Sequence, residues 1–102
     1  MDDLYRVIVL DRAFADIQKA LSFLACVPKE AADDLNNQLK EVVLSLRQFP
    51  FRFEEVKMPK ELGFSFRRTV INGRYLLIYS IKDDLVVVER LLDARQGFAA
   101  LV

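Results

Sequence analysis

Apolar positions along this 102-residue chain change period twice, from that of a strand to that of a helix and back. Tyr5 to Leu10 (Tyr-Arg-Val-Ile-Val-Leu) is rich in β-branched residues and predicts a first strand. Asp11 then stands as an N-cap, and Phe14, Ile17, Leu21 and Leu24 recur at spacings of three and four. That stripe predicts a helix from about 12 to 26. Pro28 breaks it and suits the entry to a second helix, whose stripe runs through Ala32, Leu35, Leu39, Val42 and Leu46. Pro50 stops this helix near Gln48. Two amphipathic helices with so short a joint form an antiparallel hairpin that must cover an apolar surface.

Residues 66–92 supply that surface as three strands. Asn72-Gly73 is a hairpin turn, because both residues take positive φ readily, and Asp83-Asp84 is a weaker turn of the same length. If both are two-residue loops, Ile71 opposes Arg74, Arg68 opposes Leu77, Tyr79 opposes Val88 and Leu77 opposes Arg90. One face then holds Phe66, Arg68, Val70, Tyr75, Leu77, Tyr79, Ile81, Val86, Val88 and Arg90. It is the more apolar face, so it takes the helices. The other, with Arg67, Thr69, Ile71, Arg74, Leu76 and Ile78, is open to a partner. The first strand joins the same sheet, as the chain offers it no other neighbour. The expectation is an α+β fold, a two-helix hairpin on one face of a small, mainly antiparallel sheet in the order β-α-α-β-β-β. Leu21, Leu39, Leu77 and Val88 are expected in its core. Residues 50–65 form a long connector with Phe51, Phe53 and Phe64, aromatics without an element of their own to fill.

Length implies one domain over 1–102. Fifteen basic and fifteen acidic residues give a formal net charge of zero, so bulk attraction to nucleic acid is not expected. The second half is the more basic, with nine basic and seven acidic residues after residue 50 against six and eight before it. One cysteine, Cys26, excludes an internal disulfide and fits a reducing cytoplasm; no histidine is present to activate it. The same counts exclude the usual Cys/His zinc sites, and no cofactor is expected. The acidic start, Met1-Asp2-Asp3, is unlike a secretory leader, and no apolar run is long enough to span a membrane.

Taken in order, several stretches resemble the RelE/ParE superfamily of type II toxin–antitoxin toxins. They are the Tyr5–Val9 strand, Ala13-Phe14-Ala15-Asp16-Ile17, Pro28-Lys29-Glu30-Ala31-Ala32 and Leu46-Arg47-Gln48-Phe49-Pro50. The closest are Phe66-Arg67-Arg68-Thr69-Val70, Gly73-Arg74-Tyr75, Ile78-Tyr79 and the finish Leu91-Leu92-Asp93-Ala94-Arg95-Gln96. The resemblance implies a RelE/ParE-like fold and a toxin neutralised by a cognate antitoxin, with Phe51, Phe53 and Phe64 as candidate contacts. Members that cut messenger RNA carry several basic residues on the open sheet face and often a late Tyr or His. Here Arg67, Arg74 and Arg95 are the candidate cations. Thr69 and Leu76 stand where such nucleases have a lysine and an arginine, and no Tyr follows Tyr79. The resemblance is therefore nearer the ParE branch, which implies DNA gyrase as target by protein contact, with no membrane and no sequence-specific nucleic acid partner. A ribosome-dependent endoribonuclease, or a non-toxic binding module on the same fold, are the alternatives. Arg67, Arg74 and Arg95 could equally be solvated sheet and turn residues. A homodimer is left open.

Overall fold

The computed structural model describes residues 4–26, 28–57 and 65–94. Strand β1 (Arg6–Val9) leads into helix α1 (Asp11–Leu24), which is followed by helix α2 (Lys29–Ser45). A 3₁₀ turn (Pro50–Arg52) and a short strand β2 (Glu54–Val56) come next, then β3 (Ser65–Ile71), β4 (Tyr75–Lys82) and β5 (Leu85–Asp93). The sheet has five strands in the order β1-β5-β4-β3-β2. Only β1 runs parallel to its neighbour, β5; the other pairs are antiparallel. The strand unforeseen from sequence is β2, three residues of which two are Glu, too short and too polar to show alternation.

Both helices run close to their expected bounds. Asp11 is the first helical residue rather than the cap, where its charge still favours the helix N-terminus. The inner face of α1 is Ala13, Ala20 and Leu24, with Ile17 and Leu21 packed beside them. Two alanines let α1 lie close on β5, and Phe14, expected on the stripe, is 56% exposed. The stripe of α2 is as expected, with Leu35, Leu39 and Leu46 buried. Leu77 and Val88 are buried too, while Leu21 is half-buried. A second, smaller cluster of Leu46, Tyr79, Ile81 and Val86 fills the end of the sheet.

Register differs from expectation at two points. The first turn holds three residues, since Ile71 opposes Tyr75. Asn72 (φ 56°) and Gly73 (φ 66°) do take the left-handed conformation, and the Arg74 N–H donates to the Ile71 carbonyl. Arg74 itself is the extra residue. The one-place slip flips β3, so Arg67, Thr69 and Ile71 face the helices, and Phe66, Arg68 and Val70 face the other way. The second turn is two residues, with Ile81 opposite Val86 and Tyr79 opposite Val88. Beyond it Glu89 bulges, Ile78 opposes Arg90, and Leu77 opposes Leu91 instead of Arg90. Leu91 thereby enters the core.

Candidate partner-binding surface

The 3₁₀ turn after α2 carries an aromatic patch that two side chains of the sheet hold in place. Pro50 sets the turn and is fully buried. Tyr79, from the central strand, donates its hydroxyl to the Pro50 carbonyl at 2.6 Å. Arg67, on the helix-facing side of β3, donates from Nη1 to the carbonyls of Phe51 (3.0 Å) and Phe53 (2.8 Å). Its guanidinium also lies 5.0 Å from the Phe51 ring centre, within cation–π range. Tyr5 meets the other side of that ring edge-on, with centroids 6.2 Å apart. Phe53 is half-buried, edge-on to Tyr79, with Arg52 over its ring at 4.6 Å. Phe51 stays 50% exposed and Phe49 61%. Large aromatics fixed by buried groups yet open to solvent lose little freedom when a partner covers them, which suits a binding surface.

Burial pushes the Tyr79 hydroxyl up to about 12, partly offset by the charges of Arg67 and Arg52. Its neutral form is the one the fold holds, so the stabilisation is whole below the ordinary value of 10 and is lost as pH rises through about 12. Wild-type stability should therefore fall by about 2–3 kcal/mol across that window. A Tyr79→Phe chain should be less stable at neutral pH but lack this alkaline fall. Urea titrations at a series of pH values read both effects, and an identical alkaline fall in the two chains would refute the assignment.

Arg74 lies at the far end of the sheet. From Arg67 it is four strand positions to Ile71 and the turn that holds Arg74, or about 13 Å along the sheet. It gives Nε and Nη2 to one Asp93 oxygen, at 3.3 and 3.2 Å, and stacks between Phe23 (4.9 Å) and Tyr75 (5.2 Å). These groups line a groove of about 700 Å³ with Asp16, Lys19 and Arg90. Here Asp16 of α1 stitches down the Glu89 bulge. Its oxygens accept from Arg90 Nε (2.7 Å), Arg90 Nη2 (3.1 Å) and the Leu91 N–H (3.0 Å). This contact raises the Arg90 guanidinium above its ordinary value.

Of the six candidate residues, the structure brings Arg67, Phe51 and Phe53 together and sets Arg74 apart. Phe64 and Arg95 lie outside the described residues. The open face instead carries an exposed Val70 and half-buried Phe66 and Ile78 around a buried Leu76, with Arg68 paired to Glu54 at 3.3 Å. A small depression of about 400 Å³ lies there between Arg52, Phe53, Arg68, Val70 and Leu76. No group of three or more metal-binding side chains occurs among the described residues, and none of their helices is long and apolar enough to cross a membrane. Sequence reasoning missed Phe49, taken only as a helix end, and Asp16. The signal for Asp16 was present, since an acidic residue three places after Ala13 falls on the buried side of α1.

Comparison with known proteins follows the fold. The sequence profile of the ParE toxin of the type II toxin–antitoxin system parDE matches residues 7–98. No curated protein sequence matches the chain. Among solved structures, the chromosomal ParDE toxin–antitoxin system of P. aeruginosa superposes with a TM-score of 0.70 at 14% identity, over 90% of this chain and 98% of that one. The toxin–antitoxin complex RelBE2 of Mycobacterium tuberculosis gives 0.56 at 24% identity, over 88% and 98%. The archaeal RelE–RelB complex of Pyrococcus horikoshii OT3 gives 0.61 at 19% identity, over 92% and 99%. At these identities the superpositions establish the fold.

Proposed function

The chain belongs to the ParE toxin family of type II toxin–antitoxin systems, and from that premise we propose that it inhibits DNA gyrase by protein contact and is neutralised by a cognate antitoxin. The observation that carries the reading is where the candidate cations are engaged. Cleaving RNA needs a base for the 2′-OH, an acid for the leaving group and cations for the phosphate. Arg67 faces the helices and holds the carbonyls of Phe51 and Phe53. Arg74 is paired with Asp93 some distance away. Tyr79 is fully buried, its proton directed at Pro50. The open face offers apolar side chains to a protein surface more readily than charges to a phosphate.

The antitoxin is assigned to the patch formed by Phe51 and its neighbours. The solved relatives are toxin–antitoxin complexes, which supports an antitoxin partner in general. Arg95 is assigned to the target, as a charge that can engage an acidic patch on a protein.

Induced expression tests the reading. Expected results are loss of gyrase supercoiling activity with a DNA-damage response, rescue by the co-expressed antitoxin, and weaker toxicity in a folded Arg95→Ala chain. Primer extension on ribosome-bound messages should show no codon-positioned cuts. Such cuts, disappearing in Arg67→Ala and Arg95→Ala, would sink the gyrase reading in favour of a ribosome-dependent endoribonuclease.

A further inference from the structure

Among the described residues the sheet ends at two edge strands, which are managed very differently. On one, β2 exposes Glu54 and Glu55, charges that oppose pairing with another strand. On the other, β1 reads Arg-Val-Ile-Val, with Ile8, Val9 and the preceding Leu4 each 40% exposed. The Arg6 N–H donates to Asp84 and the Leu10 N–H to Val88, both on the β5 side. Alternation therefore turns the backbone groups of Tyr5, Val7 and Val9 outward. The Tyr5 N–H is already taken by the Arg47 carbonyl. What remains is a short apolar edge with both polar groups of Val7 and Val9 unpaired by β5.

We propose that two copies of this chain associate through β1, antiparallel, about a two-fold axis at Ile8, forming one continuous sheet. The register follows from which groups are available. Centred on Ile8, Val7 of each copy exchanges both backbone hydrogen bonds with Val9 of the other, making four bonds in all. Centring on Val7 would oppose Tyr5, whose N–H is occupied, to Val9. Centring on Val9 would oppose Val7 to Asp11, which is already helical. With Ile8 on the axis, the two Ile8 side chains meet in a close, non-hydrogen-bonded pair on the open face. Charge agrees with the same register. Arg6 of one copy then stands opposite Leu10 of the other, next to Asp11. Arg6 and Asp11 are both exposed, and neither has an ion pair within its own chain among the described residues. Parallel in-register pairing would set Arg6 against Arg6 and is disfavoured. The contact is isologous, so it closes at two copies and does not propagate. Strands this short bury less than a standard interface, so the dimer is expected to be a weak, transient one.

Sedimentation of the full chain from about 1 to 500 µM tests this, since that range reaches the concentrations at which a weak dimer forms. A concentration-dependent monomer–dimer equilibrium is expected. Amide exchange at Val7 and Val9 should slow as concentration rises, while that at Arg6 and Ile8 stays as it is. Ile8→Lys sets two like charges face to face and should raise the dissociation constant by about tenfold or more, with an unchanged melting temperature. Arg6→Asp should weaken the dimer, and adding Asp11→Arg should restore it. Three results would each overturn the proposal. One is a monomer throughout the range. Another is a dimer indifferent to Ile8→Lys. The third is Val7 and Val9 amides protected only when antitoxin is added, which would assign the edge to the antitoxin. None of these measurements reads toxicity, so the dimer stands or falls apart from the proposed target.

Discussion

A Leu39→Asp chain is expected to show no cooperative unfolding transition. Leu39 is 4% exposed on the sheet-facing stripe of α2 and shares its cluster with Leu35, Ile71 and Leu77. A carboxylate there must be buried unpaired or protonated, and the leucine's packing is lost as well. Together these cost about 4 kcal/mol or more, against the 5–15 kcal/mol that holds a typical domain together. Circular dichroism during a urea titration would show a flat or broadened trace. Leu39→Met conserves volume and should cost less than about 1.5 kcal/mol. A soluble Leu39→Asp chain with the wild-type midpoint would contradict the packing described.

The second large effect belongs to Asp16. Replacing it with Ala removes the acceptor for three hydrogen bonds and leaves the Leu91 N–H and the Arg90 guanidinium without that partner. The side chain of Asp16 is only 17% exposed, so water replaces it poorly. Hydrogen bonds to a charged group contribute about 1.5–3 kcal/mol, so a loss of about 2–4 kcal/mol is expected. Asp16→Asn keeps an acceptor for Leu91 but sets an amide donor near Arg90, and should fall between Ala and wild type. Because the bulge at Glu89 places Leu91 in the core, the Leu91 amide should exchange faster in Asp16→Ala than in wild type. A stability change below about 0.5 kcal/mol would mean that β5 keeps its bulge without this contact.

How much was legible in the sequence can be judged from particular residues. Leu35, Leu39 and Leu46 recur with the helical period, and their burial needs only that period and one apolar surface. The Asn72-Gly73 turn was equally plain, because few other pairs accept two positive φ angles. The length of its loop was not. A single extra residue, Arg74, separates a two-residue from a three-residue connection, and that choice depends on the strands pairing beyond it. The consequence is large, since the slip moves Arg67 from the open face to the helix side. The candidate site therefore changed character. Of the three arginines expected to share the open face, Arg67 lies on the helix side and Arg74 in the turn, and Arg95 is outside the described residues. One of them, Arg67, secures the phenylalanines that had been considered separately.

Apart from the resemblance to the toxin family, which rests on the order of its motifs, local residue preference determined, from the sequence alone, two amphipathic helices, three long strands and the position of both turns. These rest on interactions among residues a few places apart, which the sequence contains directly. Only the tertiary structure decided the parallel pairing of β1 with β5, the β2 edge strand, the Glu89 bulge and the side of the sheet on which each arginine lies. Those depend on groups far apart in the chain, such as Asp16 with Leu91 and Arg67 with Phe51. Their partners become neighbours only once the helix hairpin has closed over the sheet, because a backbone N–H or a guanidinium accepts any suitably placed oxygen and the chain's path determines which one is in reach.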